Sequence, residues 1–264
     1  MYYMQTQLAR NIQNNVIQFE VVKTEKLEPK LKLDGTEKQT PNNNSEERWV
    51  DPIRDKADVK RIIEFLYNKA LFTKRLDTQR AAYRNWFLFI VGINVGIRVS
   101  DLIKLKWDNI FEPDMKTFVD GRNKKEQKTG KVKLICPNEC IKKAVRQYLD
   151  FSDIIPNAEE YLFLSGRKNK SGVYAPISDA TVDNMIKEAT TACNIKGDYS
   201  THSLRKTYAY HKYMMYVNSN DPLALVKVQK DLNHRNSSDT ARYLGITRDE
   251  QIKSSMELGD YWDM

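Results

Sequence analysis

The stretch Thr201-His202-Ser203-Leu204-Arg205-Lys206-Thr207 places an imidazole and a guanidinium three residues apart at a helix start. Residues at that spacing share one helix face, so both side chains reach one substrate group. Arginine offers a planar fork of donors that suits phosphate, and histidine exchanges protons near neutral pH. The target this pattern fits is a phosphodiester. Two more segments answer to it: Gly96-Ile97-Arg98-Val99-Ser100-Asp101-Leu102 upstream, and Leu232-Asn233-His234 downstream, followed nine residues after the histidine by Tyr243.

Outward from that stretch, the apolar spacing predicts a mainly α domain with a small antiparallel β-sheet on one edge. Asp58 is the expected cap of a helix carrying Ile62, Ile63, Leu66 and Tyr67. A second helix is expected from Thr78 to Val95, apolar nearly all round at Trp86 to Val91 and therefore central and buried. Ser100-Asp101 are expected to cap a short helix. Alternation predicts strands at Met115–Asp120 and Lys131–Ile135, joined by the basic turn Gly121–Gly130, with another strand at Tyr161–Leu164. Further helices are expected at Glu139–Phe151, from Ser178-Asp179 to Cys193, and at 201–217, 221–232, 237–244 and 247–258. Residues 1–47 read as an arm, weakly amphipathic over 1–25, and a polar linker from about Thr24 to Glu47 too poor in apolar residues to fold alone; 48–264 read as the globular domain.

The chain of 264 residues carries a net charge of +8 and a pI near 9.2. Residues 1–47 contribute −1 and the remainder +9, so the basic excess belongs to the globular part and suits a polyanionic partner. Cys136, Cys140 and Cys193 are too few for a disulfide framework and read as buried or half-buried free thiols. No compact set of Asp, Glu, His and Cys has metal-ligand spacing, and neither a Walker loop nor a dinucleotide turn is present, so no cofactor or metal is expected. The longest apolar run, Trp86 to Ile97, is too short to span a bilayer, and the N-terminus lacks a signal-peptide core. These features predict a cytoplasmic protein with no membrane partner.

Cutting and rejoining a phosphodiester without losing bond energy calls for a nucleophile that stays on phosphorus, and a phenolate is also a competent leaving group. Negative charge spread over the non-bridging oxygens calls for preorganised cations, and the two oxygens exchanging protons call for an acid and a base. On these motifs the chain resembles the tyrosine recombinase, or phage integrase, family over about residues 48–260. The resemblance implies the recombinase catalytic fold and a phosphate clamp of Arg98 and Arg205. It implies Lys128, in Gln127-Lys128-Thr129-Gly130-Lys131, as general acid and His202 as general base. His234 falls at the position that hydrogen-bonds the phosphate, and Tyr243, in Ala241-Arg242-Tyr243-Leu244-Gly245, at the nucleophile. Lys124, Lys125, Lys131 and Lys133 flank Lys128 as competing lysines, and His211 reads as surface.

The implied activity is site-specific DNA recombination through a 3′-phosphotyrosyl intermediate, as in the integrases of phages and mobile elements. The implied partners are double-stranded DNA, further copies of the chain as a tetramer on DNA, and an accessory DNA-bending protein; association with the nucleoid is implied with them. Two departures stand out. The 47 residues before the catalytic part are too short for the separate helical domain that closes a clamp around DNA in most relatives. Asn233 stands where a glycine is common. The first departure keeps open a non-catalytic DNA-binding regulator that retains the fold; a topoisomerase of similar chemistry fits the motifs around Arg98 and Tyr243 less well.

Overall fold

The computed structural model describes residues 50–168, 170–244 and 255–259, all within the unit Glu47–Met264. In chain order the elements are α1 (Lys56–Phe72), α2 (Leu76–Val95), α3 (Val99–Leu102), a 3₁₀ turn (Trp107–Asn109), β1 (Arg122–Lys125), β2 (Val132–Ile135), α4 (Glu139–Ser152), β3 (Leu164–Lys168), β4 (Tyr174–Pro176), α5 (Asp179–Ala192), α6 (Thr201–Asn218), α7 (Ala224–Asp231) and α8 (Ser237–Leu244). The arm 1–47 and most of the helix expected at 247–258 lie outside the described residues; 255–259 are helical. Among the described residues, no helix is long and apolar enough to cross a membrane.

Helix α2 is the axis of the core. Trp86, Phe87, Leu88, Phe89, Ile90 and Val91 are each at most 4% exposed, as an all-apolar helix requires. It packs against α1, α4 and α6. Phe87 stacks on Tyr148 of α4 at 4.8 Å between centroids, and Trp107 and Phe163 close the cluster. A second, smaller cluster of Ala209, Val228, Leu232 and Leu244 joins α6, α7 and α8, and Tyr243 packs at its edge.

The mainly helical expectation holds, with corrections at the edges. Asp55, not Asp58, caps α1 by accepting from the Ala57 amide at 2.7 Å. The cap position of α3 is Arg98, while Ser100 and Asp101 lie inside that helix. The one expected sheet is two separate hairpins, β1-β2 and β3-β4. No strand runs over Met115–Asp120. Asp114 takes the amides of Lys116 and Thr117 at 2.9 and 2.8 Å, Met115 stands at φ 54°, and a lone bridge joins Phe111 to Phe118. A side chain that captures backbone donors in this way competes with a ladder. The partner of β2 is instead Arg122–Lys125, inside the expected turn. Tyr161 bridges Lys106, and the strand expected to start there begins at Leu164. Cys136 and Cys140 are exposed and Cys193 half-buried. His211 is half-buried rather than on the surface, with Nε2 at 3.0 Å from the Ile53 carbonyl oxygen.

Candidate active site

Helix α6 begins with a reciprocal cap: Ser200 is the cap residue, and its own amide donates to Ser203 Oγ at 3.1 Å. The first turn so fixed leaves His202 at the solvent-facing rim and turns Arg205 inward, where it is 1% exposed. Arg205 Nη1 donates to the Gly96 carbonyl at 3.1 Å and to Glu126 Oε1 at 3.2 Å, and Nη2 donates to the Leu232 carbonyl at 2.6 Å. Its Nε, also buried, has no protein partner. A buried donor without an acceptor is costly, and it leaves Arg205 one further hydrogen bond to make.

Gly96 ends α2 at φ 67°, and a Cβ there would lie 2.0 Å from the Tyr208 ring. Glycine is required on both counts, and the turn it makes delivers its carbonyl to Arg205 and Arg98 to the same place. Arg98 Nη1 is 2.9 Å from Glu126 Oε2. One carboxylate, 1% exposed, therefore bridges the two arginines. Burial pushes the Glu126 carboxyl up, but the hydrogen bond from Thr129 and the two guanidiniums outweigh it and hold the group below its ordinary range.

Glu126 also starts the turn that carries Lys128. Thr129 Oγ1 donates to Glu126 Oε2 at 2.8 Å, and the Gly130 amide donates to the Glu126 carbonyl at 2.9 Å. The Gln127 amide donates to Asp101 Oδ1 at 2.9 Å. Lys128 sits exposed at the tip, and its charge is felt at His202. The His202 imidazole is held below its ordinary pKa, first by burial against the protein, then by Arg205, Lys206, Arg98 and Lys128.

His234 lies between α7 and α8, after Asn233 at φ 56°. Its Nδ1 is 3.1 Å from Thr240 Oγ1, and Thr240 is fully buried. Burial, then the Arg205 charge, drives its pKa down to about 4, so the ring is neutral near pH 7. The Tyr243 ring meets it edge-on at 4.7 Å. Arg205 Cζ and Lys206 Nζ lie 5.9 and 5.6 Å from the Tyr243 ring centroid. The structure thus brings Arg98, Arg205, His202, His234 and Tyr243 into one neighbourhood, with Lys128 exposed at the edge of it. Glu126 and Thr240 join them unannounced by the motifs, as do Asp101 and Lys206, which lie inside the quoted motifs but were given no part in the site. A signal for Glu126 was present: it is the lone acid among Lys124, Lys125, Lys128, Lys131 and Lys133.

Among the described residues no group of three or more His, Cys, Asp or Glu is placed to hold a metal ion. What the site offers is a buried arginine with a spare donor beside a half-buried one, two imidazoles below their ordinary pKa, and a phenol.

The phage integrase family matches residues 55–250. A probable integrase/recombinase YoeC of Bacillus subtilis (strain 168) is 32% identical over 200 residues, covering 76% of this chain and 92% of the relative. A tyrosine recombinase XerC of Caldanaerobacter subterraneus subsp. tengcongensis is 32% identical over 178 residues, 66% of this chain and 44% of the relative. Among solved structures, the XerA recombinase aligns with a TM-score of 0.54 at 20% identity, over 80% of this chain and 64% of its own. The XerH recombinase, crystallised after cleavage on a palindromic difH substrate, aligns at 0.53 and 15% identity, over 76% of this chain and 51% of its own.

Proposed function

The chain belongs to the phage integrase family and is a tyrosine-type site-specific recombinase, and we propose how its own residues divide the work. Double-stranded DNA is the substrate in this reading, which the XerH neighbour, crystallised on its palindromic difH substrate, supports. The scissile phosphate binds against Arg98 and Arg205, each already held by Glu126 through Nη1, and the unpartnered Arg205 Nε donates to a non-bridging oxygen. That buried, unsatisfied donor is the observation that carries this reading.

Tyr243 attacks phosphorus and gives its proton to His202, whose lowered pKa keeps it unprotonated and ready to accept. Neutral His234, with Nδ1 engaged by Thr240, presents its other nitrogen to the phosphate. Lys128 protonates the departing 5′ oxygen. The product is a 3′-phosphotyrosyl link and a free 5′-hydroxyl, and reversal by a hydroxyl of another strand completes the exchange. No metal or cofactor takes part in this scheme.

Several copies acting together on DNA, as a tetramer, complete the proposal, with an accessory DNA-bending protein assisting site recognition. In the lone chain Met256 and Leu258 are 72% and 54% exposed, and Met215, Leu223 and Val226 are each more than half exposed. Apolar surface of both kinds suits docking of the tail on a neighbouring copy. The non-catalytic regulator is not favoured, since a pure DNA binder has no use for a phenol set between an imidazole and a buried arginine.

The experiment is cleavage of nicked duplexes taken from the flanks of the gene. Arg98→Ala and Arg205→Ala should each lower the cleavage rate by about 10²–10³-fold, the scale of lost preorganised charge. A rate unchanged by either substitution removes that arginine from the clamp.

A further inference from the structure

Strand β2 reverses the usual order of an amphipathic strand. Lys133 and Ile135 are buried, while Val132 and Leu134 are more than half exposed. A lysine turned inward needs acceptors, and Lys133 finds them outside its hairpin. Its Nζ donates to the Asp231 carbonyl at 2.6 Å and to Asp231 Oδ1 at 3.3 Å. Lys131, two residues earlier and on the same face, donates to the Asn233 carbonyl at 2.6 Å. Asn233 answers through its side chain, whose Nδ2 donates to the Val132 carbonyl at 3.2 Å. These bonds fasten the hairpin β1-β2 to the residues just before His234, and none of them touches the arginine pair.

Asn233 stands in the left-handed region, where glycine meets the backbone demand at less cost. A side chain kept there has a use beyond shape, and its reach to the strand supplies one. We propose that Asn233 is a positioning residue for leaving-group departure: with Lys131 it clasps the hairpin so that Lys128, at the tip, faces the oxygen it protonates. The same bonds tie the placing of Lys128 to that of His234. This role rests on Lys128 being the general acid, as proposed above.

The chemistry separates a placing role from a merely structural one. As the Tyr243 oxygen bonds to phosphorus, the P–O5′ bond breaks, and the electron pair left on O5′ takes a proton from the Lys128 ammonium. With sulfur in place of O5′ the leaving group departs as a stable thiolate and needs no proton. A fault in placing Lys128 is then erased, whereas a fault in folding, DNA binding or the arginine clamp persists.

The test uses the full chain and nicked duplexes from the gene's flanks that form the covalent adduct, with oxygen or sulfur at the 5′ bridging position. Single-turnover cleavage is measured for wild type, Asn233→Gly, Asn233→Asp, Lys131→Met and Lys128→Ala. Asn233→Gly keeps the backbone conformation, so it folds; it should cleave the oxygen substrate about 10- to 100-fold more slowly and the sulfur substrate at the wild-type rate. Asn233→Asp, unable to donate, and Lys131→Met should behave alike. An Asn233→Gly variant as fast as wild type on oxygen, or equally slow on both substrates while Lys128→Ala recovers on sulfur, overturns the clasp. If Lys128→Ala itself stays slow on sulfur, the acid assignment falls and the clasp's role falls with it.

Discussion

Glu126 sets one negative charge between two guanidiniums, and this allows Arg98 and Arg205 to lie side by side in the absence of DNA. Glu126→Gln keeps the size and one acceptor but removes the charge, and should cost about 1–3 kcal/mol of stability at pH 7, the scale of a buried charge-assisted bond. Because the folded carboxyl lies below its ordinary value near 4.5, its contribution is present above that pH and is lost as pH falls through the folded value. Denaturant titrations of the two proteins should therefore converge between pH 4.5 and more acid conditions; a gap that stays constant refutes the charge's role. His234 makes a second prediction. With a pKa near 4 against an ordinary 6.5, it resists protonation in the fold while the unfolded chain accepts the proton, so stability falls as pH drops below 6.5. Imidazole resonances should show His234 still neutral at pH 6, and a midpoint at or above 6.5 contradicts its half-buried place beside the Arg205 charge.

At the scale of elements, α2 and the turn that ends it position the clamp. Gly96→Ala forces a Cβ into the Tyr208 ring and an unfavourable left-handed alanine, so it should lower stability by about 1–3 kcal/mol and reduce DNA cleavage together. Thermal unfolding checks the first and single-turnover cleavage the second; normal values in both would show that the turn can re-form another way. Helices were legible where the chemistry is local. The apolar run Trp86 to Val91 dictates burial whatever surrounds it, and Ser178 announces its cap. The hairpin was not legible in the same way. Asp114 diverts an alternating stretch into a turn, and β1, Arg122–Lys125, is almost wholly cationic, with no apolar face to betray it. Its pairing is set by contacts that sequence does not display, with Lys133 and Lys131 docked on residues about a hundred positions later. His202 and Arg205 were singled out by a spacing that puts them on one helix face, and Arg98, His234 and Tyr243 by the likeness of their short segments to the family. Glu126 and Asp101 escaped because their meaning comes from long-range partners.

Across the whole molecule, the positive excess lies in residues 48–264, which include the site. DNA binding by this part should weaken with salt along a slope of about 0.9 per phosphate neutralised, measured by fluorescence anisotropy over a salt series. A flat dependence would mean that the charge serves solubility alone. The chain spans 51% of the XerH chain and 64% of the XerA chain it resembles, so the affinity of a single copy bears directly on the proposed assembly. Sedimentation on DNA should give complexes of more than one copy per site, and a tight single-copy complex would contradict that assembly. If Tyr243 is the nucleophile, it becomes joined to DNA. The protein is trapped on nicked duplexes from the gene's flanks, the adduct digested, and the modified peptide read by mass spectrometry. A nucleotide-bearing peptide with the modification on Tyr243 is expected, absent from Tyr243→Phe although that variant still binds the DNA. An adduct on another tyrosine, or one that persists in Tyr243→Phe, would contradict it.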